Sequence, residues 1–137
     1  MRKNIAFTEA IRILQDDRND PFLCGLREGE DNDLHITICR AGADSKTELA
    51  QWEIIFECYI LYQVRNESFC SFHAAEVKTG KYLAVFEKSR LLEYLPTAVD
   101  AGLLEHTEPW KHYDIFTQNQ IIDVIAQADP VISCMGA

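Results

Sequence analysis

A chain of 137 residues, 47% hydrophobic and 26% charged, has the length of one domain and the composition of an ordered fold, which excludes disordered and fibrous classes. Its 22 acidic and 13 basic residues leave a net charge of −9; this repels phosphate backbones and anionic lipid, so neither nucleic acid nor membrane is an expected partner. No apolar run approaches the roughly 20 residues that cross a bilayer, and acid and base interrupt the N-terminal MRKNIAFTEAIRILQDD before a signal-like apolar core forms.

The first element in the chain is a helix, because Phe7, Ile11 and Leu14 recur at helical spacing while Glu9, Arg12 and Asp16 occupy other faces. Asp16 to Pro21 ends it, since a proline disfavours helix in the residue before it. Phe22, Cys24 and Leu26 alternate in one strand and Leu34, Ile36 and Ile38 in the next, with Gly29-Glu30-Asp31-Asn32 as the turn of a hairpin. Ala41 to Glu48 is a polar loop or short helix.

The strongest periodicity runs from Glu53 to Arg65, where Ile54, Phe56, Cys58, Ile60, Tyr62 and Val64 alternate with Glu53, Glu57, Gln63 and Arg65. It reads as one long central strand with a core face from Ile54 to Val64. Ile55, Tyr59 and Leu61 interrupt its polar face, so that face needs a covering helix, a partner or a ligand. Phe69 to Val77 resumes extended character, and Lys78-Thr79-Gly80 turns into Lys81 to Phe86 as a second hairpin. Ser89 caps a short helix through Arg90 to Leu95, which Pro96 ends or kinks. His112 to Phe116 is a strand. Thr117 to Gln120 reads as a capping box opening a last helix whose apolar stripe is Ile121, Val124, Ile125 and Ala128, stopped at Asp129-Pro130. The elements together predict a single domain over 1–137, of α+β class: a mainly antiparallel sheet of five to six strands with two or three helices packed on it.

Motifs that carry chemistry are scarce. Cys70 and His73 have a C-x-x-H spacing, but the second ligand pair of a zinc site is missing and the two would face opposite sides of a strand. The acidic run Glu28, Glu30, Asp31 and Asp33 lacks the order of a calcium loop and reads as a hydrated hairpin tip. The six isolated glycines form no phosphate cradle, and neither a G-x-S-x-G elbow nor an H-E-x-x-H helix occurs. Neither a metal nor a cofactor is therefore expected. Cys24, Cys39, Cys58, Cys70 and Cys134, odd in number and widely spaced, read as reduced packing residues, which places the protein in the cytoplasm.

From Thr97 to Ala137 six acids face Lys111 alone, and Glu108 to Tyr113 concentrates Trp, Lys, His and Tyr after a proline. Aromatic side chains beside acids are usual anchors of an interface, although Trp110 and Tyr113 also suit the end of a sheet core, and acids alone suit a solvated face. The leading expectation is a non-enzymatic acidic binding domain, of inhibitor or immunity type, that engages a basic protein partner through Glu105, Glu108, Trp110, His112, Tyr113 and Asp114. The alternative is a small-molecule-binding domain or enzyme with its pocket between sheet and helices, where Tyr59, Tyr62, His73, Glu76 or His112 would project. Homo-oligomerisation through a strand edge is compatible with either.

Overall fold

The computed structural model describes residues 3–15, 20–41, 49–70, 74–98 and 110–135. Among them the chain forms β1 (Lys3–Ile5), α1 (Phe7–Ile13), β2 (Phe22–Glu28), β3 (Leu34–Ala41), β4 (Leu49–Phe56), β5 (Tyr59–Asn66), a 3-10 turn (Glu67–Phe69), β6 (Val77–Gly80), β7 (Leu83–Lys88), α2 (Arg90–Ala98), β8 (Lys111–Phe116), β9 (Gln120–Ala126) and β10 (Val131–Met135). The strands make two five-stranded sheets, ordered β1-β10-β4-β3-β2 and β5-β9-β8-β7-β6, with every neighbouring pair antiparallel. The α+β class stands, but the expected single sheet of five to six strands with two or three helices is corrected to ten strands in two sheets with two helices. No helix among the described residues is long and apolar enough to cross a membrane.

One core lies between the sheets. It joins Leu34, Ile36, Ile38, Trp52, Ile54, Phe56 and Ile132 of the first sheet to Leu83, Tyr113, Ile115, Ile122 and Val124 of the second. The Tyr113 ring meets Phe56 at 5.2 Å and Phe7 of α1 edge-on at 5.3 Å, so one aromatic side chain ties both sheets and the helix together. The expected stripe of α1 is buried as Phe7, Ile11 and Leu14, and the helix contacts β10 of the first sheet and β7 of the second.

Two sequence expectations fail for identifiable reasons. The alternation from Glu53 to Arg65 is not one strand: exposed Glu57 and Cys58 form a corner at which β4 leaves the first sheet and β5 enters the second. Ile54 and Phe56 are buried, but Val64 is 44% exposed because β5 is an edge strand. A shift in pairing between Tyr59 and Leu61 lets both Tyr59 and Tyr62 pack toward the core, leaving Leu61, Gln63 and Arg65 on the opposite face. The helix expected after Thr117 is instead strand β9. Ile121, Ile122, Val124 and Ile125 are β-branched and all buried, which suits a central strand covered on both faces, each side chain contributing about 1.5–3 kcal/mol by burial. The supposed capping box closes the β8–β9 hairpin: Thr117 N donates to the Gln120 carbonyl at 2.9 Å, and the Thr117 hydroxyl donates to the same oxygen at 2.7 Å.

The cysteines are corrected as well. Cys24 and Cys39 are joined by a disulfide across β2 and β3 with their Cα atoms 6.2 Å apart, where five reduced thiols were expected. Cys58, Cys70 and Cys134 are free.

Candidate functional site

Alternation along the second sheet sends one set of side chains into the core and the other set outward beneath α2. On β8 this separates neighbours in sequence: Tyr113 and Ile115 face the core, while His112 and Asp114 line the outward cavity. On β9 Ile122 and Val124 face inward and Asp123 outward; on β5 the outward set is Leu61, Gln63 and Arg65. Strand register then aligns them in rows. Gln63 lies opposite Asp123, which lies opposite Asp114; Lys78 lies opposite Phe86, which lies opposite His112.

α2 forms the other wall. Ser89 caps it as expected, its hydroxyl accepting from Leu92 N at 3.1 Å, and the helix presents Arg90, Leu91 and Tyr94 to the cavity. Glu76 holds the helix start by accepting from Arg90 N at 3.0 Å. The space enclosed by these elements has a volume of about 670 Å³, within the range of roughly 300–1,000 Å³ in which proteins bind small molecules.

The floor is a hydrogen-bonded cluster around Asp123, which is wholly buried. Its Oδ2 accepts from Arg65 Nε at 2.7 Å and Gln63 Nε2 at 3.0 Å; its Oδ1 accepts from Arg65 Nη2 at 3.2 Å and His112 Nε2 at 2.8 Å. Burial raises the pKa of this carboxyl, but donation from His112, Arg65 and Gln63 outweighs it and leaves the group below the ordinary carboxylate range. With four donors in place, Asp123 is a fixed anion.

Asp114, its cross-strand neighbour, is the opposite case. It is 2% exposed, and its Oδ1 has no hydrogen-bond partner among the described residues. Burial first, and the Asp123 charge second, push its pKa from 3.8 up to about 6; Lys78, His112 and Arg65 limit the rise. Two adjacent carboxyls are thus driven apart, one held as an anion and one able to gain or lose a proton near neutrality. Such a pair in a cavity is the pattern expected of a functional site.

Ser89, His112 and Asp123 are bonded in the order of a hydrolase triad, with Ser89 Oγ 2.8 Å from His112 Nδ1 and Nε2 on Asp123. The arrangement is a positioning chain instead. Ser89 is 1% exposed, its hydroxyl already caps α2, and it is not on the cavity wall, so no substrate carbonyl reaches it. Phe86 stacks on His112 at 4.2 Å and 17°, which fixes the ring plane.

Of the six residues expected to form an interface, the four that are described do not share one surface. Glu105 and Glu108 lie outside the described residues. Trp110 is partly buried with its indole N–H unpaired among them. Tyr113 is a core residue whose hydroxyl donates to Asp129, and its pKa is raised by burial and by that carboxylate. His112 and Asp114 are brought together in the cavity and are not on an open surface. Of the residues considered for a pocket, Glu76 and His112 line it, Tyr59 and Tyr62 pack toward the core, and His73 lies outside the described residues.

Arg65, Lys78, Phe86 and Asp123 were not singled out. The sequence holds one signal for Asp123, a lone acid inside the apolar run Ile121 to Ala126, which a helical reading of the segment hides. A second polar cluster, His35 with Asp33 at 2.6 Å and Glu53 at 3.5 Å, lies on β3, β4 and the preceding turn but lines no cavity of comparable size. No group of three or more His, Cys, Asp or Glu among the described residues is placed to hold a metal ion.

No family model matches the chain, and no curated protein or solved structure matches it either.

Proposed function

We propose that this protein is a small-molecule-binding domain with acid–base capacity, its ligand held between α2 and the outward face of the second sheet. The observation that carries the reading is the cavity of about 670 Å³ between α2 and the second sheet, with the Asp123 hydrogen-bond cluster and the buried Asp114 carboxyl among its lining residues. Leu61, Phe86, Leu91 and Tyr94 supply the apolar walls that drive binding, and the polar floor supplies orientation. With its pKa near neutrality, Asp114 is also suited to take or give a proton to whatever occupies the cavity.

Thermal unfolding against a panel of small organic compounds tests this, because a ligand that prefers the folded state raises the midpoint, by about 2.7 kcal/mol of stability at a hundredfold excess over Kd. Hits should lose their effect in Leu91→Trp, which fills the cavity from α2. A panel without hits, or hits that stabilise Leu91→Trp equally, sinks the reading.

A second reading keeps the acidic domain that meets a basic protein. It is favoured by the charge of −9 and by the exposed Phe69 and Tyr94. Co-purification that is lost on reversing the charge of Glu105 and Glu108 would select it. The proposed compartment is the cytoplasm; the Cys24–Cys39 disulfide is the feature against it, since such bonds persist in oxidising surroundings.

A further inference from the structure

On the reading that the cavity beneath α2 is a ligand site, its own charges decide which ligands it refuses. Three acids, Glu76, Asp114 and Asp123, and three cations, Arg65, Lys78 and Arg90, line it, so neither sign is in excess. Each charge is also engaged or shut away. Asp123 accepts from Arg65, Gln63 and His112, and Glu76 accepts from the Arg90 backbone N–H and stands 3.9 Å from its guanidinium. Lys78 is engaged as well, its ammonium 5.8 Å from the centre of the Phe86 ring. Asp114 is 2% exposed, and its Oδ1 has no surface open to the cavity.

An ion entering such a space sheds water and meets no spare counter-charge. To gain one it has to separate an existing pair. Displacing Arg65 would strand Asp123, which is wholly buried, and an uncompensated buried charge outweighs the new contact. An uncharged molecule faces neither cost. Apolar surface is what the walls do offer: Leu61 on β5, and on α2 Leu91 and Tyr94, three positions apart and so on one face of the helix. Leu61 and Leu91 are half-buried and Tyr94 is 55% exposed, which leaves all three accessible to a ligand.

We infer that the cavity takes an uncharged, mainly apolar small molecule carrying an alcohol or amide group, and turns away carboxylates and ammonium ions. The apolar body lies between Leu61 and the Leu91–Tyr94 face of α2. Its polar group meets the Gln63 amide or the Tyr94 hydroxyl, which line the same space and are uncharged.

Two isosteric pairs separate charge from shape: 2-naphthamide against 2-naphthoate, and 2-naphthylmethanol against 2-naphthylmethylamine, a cation at neutral pH. In titration calorimetry on the intact chain at about pH 7.5, each neutral member should bind about ten-fold or more tighter than its charged isostere. Added salt should leave the neutral members unchanged. Glu76→Gln keeps an acceptor for the Arg90 N–H but leaves three cations against two acids, so 2-naphthoate should gain on 2-naphthamide. Leu91→Trp should remove the binding of 2-naphthamide. Either ion binding as tightly as its neutral isostere, 2-naphthoate indifferent to Glu76→Gln, 2-naphthamide still binding to Leu91→Trp, or none of the four binding overturns the inference. If an ion binds best and Leu91→Trp abolishes its binding, the ligand site stands and the ligand class alone falls.

Discussion

Asp114 makes the electrostatics of the cavity measurable without any ligand. Asp114→Asn replaces the carboxyl by a neutral group of the same shape, and its effect depends on pH with a definite sign. In the folded chain the carboxyl titrates at about 6 instead of 3.8. Between those values the folded state holds a proton that the unfolded state has released, so stability falls as pH rises through the interval. At about 1.4 kcal/mol per pH unit, the penalty reaches about 3 kcal/mol above pH 6. The amide carries no such penalty. Asp114→Asn is therefore expected to match the parent near pH 4 and to exceed it by about 3 kcal/mol near pH 8, which for a domain of this size is a rise in Tm of roughly 10 °C. Tm measured across pH 4 to 8 for both proteins gives the difference curve, and carboxyl NMR of the parent gives the pKa directly. A difference that is flat with pH, or an Asn variant less stable at pH 8, would refute the account of Asp114 as a destabilised buried acid.

Asp123 carries the opposite sign. Its folded pKa lies below 3.8, so the stability it contributes is complete above that value and is lost as pH falls through the lowered one. Asp123→Asn should cost about 3–5 kcal/mol at neutral pH by denaturant unfolding, since it leaves Arg65 and His112 without their anion. The same variant should bring the Asp114 pKa down from about 6 in an NMR titration, because it removes a repelling charge and releases Arg65; no change would mean the two carboxyls are uncoupled. Gly80→Ala should destabilise by about 1–3 kcal/mol, because Gly80 sits at φ 107° and a Cβ there would lie 2.2 Å from the Leu83 carbonyl oxygen. Unchanged unfolding would argue that the β6–β7 turn relaxes freely.

Elements whose residues respond to their immediate neighbours were legible. The stripe Phe7, Ile11 and Leu14 of α1, the inward set Leu34, Ile36 and Ile38 of β3 and the Ser89 cap of α2 were each read correctly, since spacing and a single cap are local properties. Thr117 to Ala128 misled because apolar residues at Ile121, Val124 and Ile125 satisfy helical spacing, while a strand buried on both faces has no alternation to set against it. β-branching at Ile121, Ile122, Val124 and Ile125 was the signal that favoured the strand.

In the sequence His112 and Asp114 stand beside Tyr113 and suggest one surface with it, but proximity along a strand is not proximity in space. In a strand, adjacent residues are the ones that separate, and Tyr113 lies in the core between two cavity residues. The partners that give the site its character lie far away in sequence: Arg65 bonds Asp123 across 58 positions and Ser89 bonds His112 across 23.

By itself the sequence determined an acidic α+β chain of mainly antiparallel strands, the helix stripe, and which residues of β3 and β4 are buried, because periodicity records the face on which each side chain stands. Periodicity does not record which sheet a strand joins or what lies opposite it. The alternation through Ile54, Phe56, Ile60 and Tyr62 therefore passed unnoticed from one sheet to another at Glu57 and Cys58. Only the tertiary structure decided that Asp114 faces Asp123 across β8 and β9, that Leu61 is covered by the cavity beneath α2 and not by a central position in one sheet, and that one of two neighbouring carboxyls keeps its charge while the other is poised to lose it. Register between strands and the burial it produces set those outcomes, and neither is a property of any short stretch of chain.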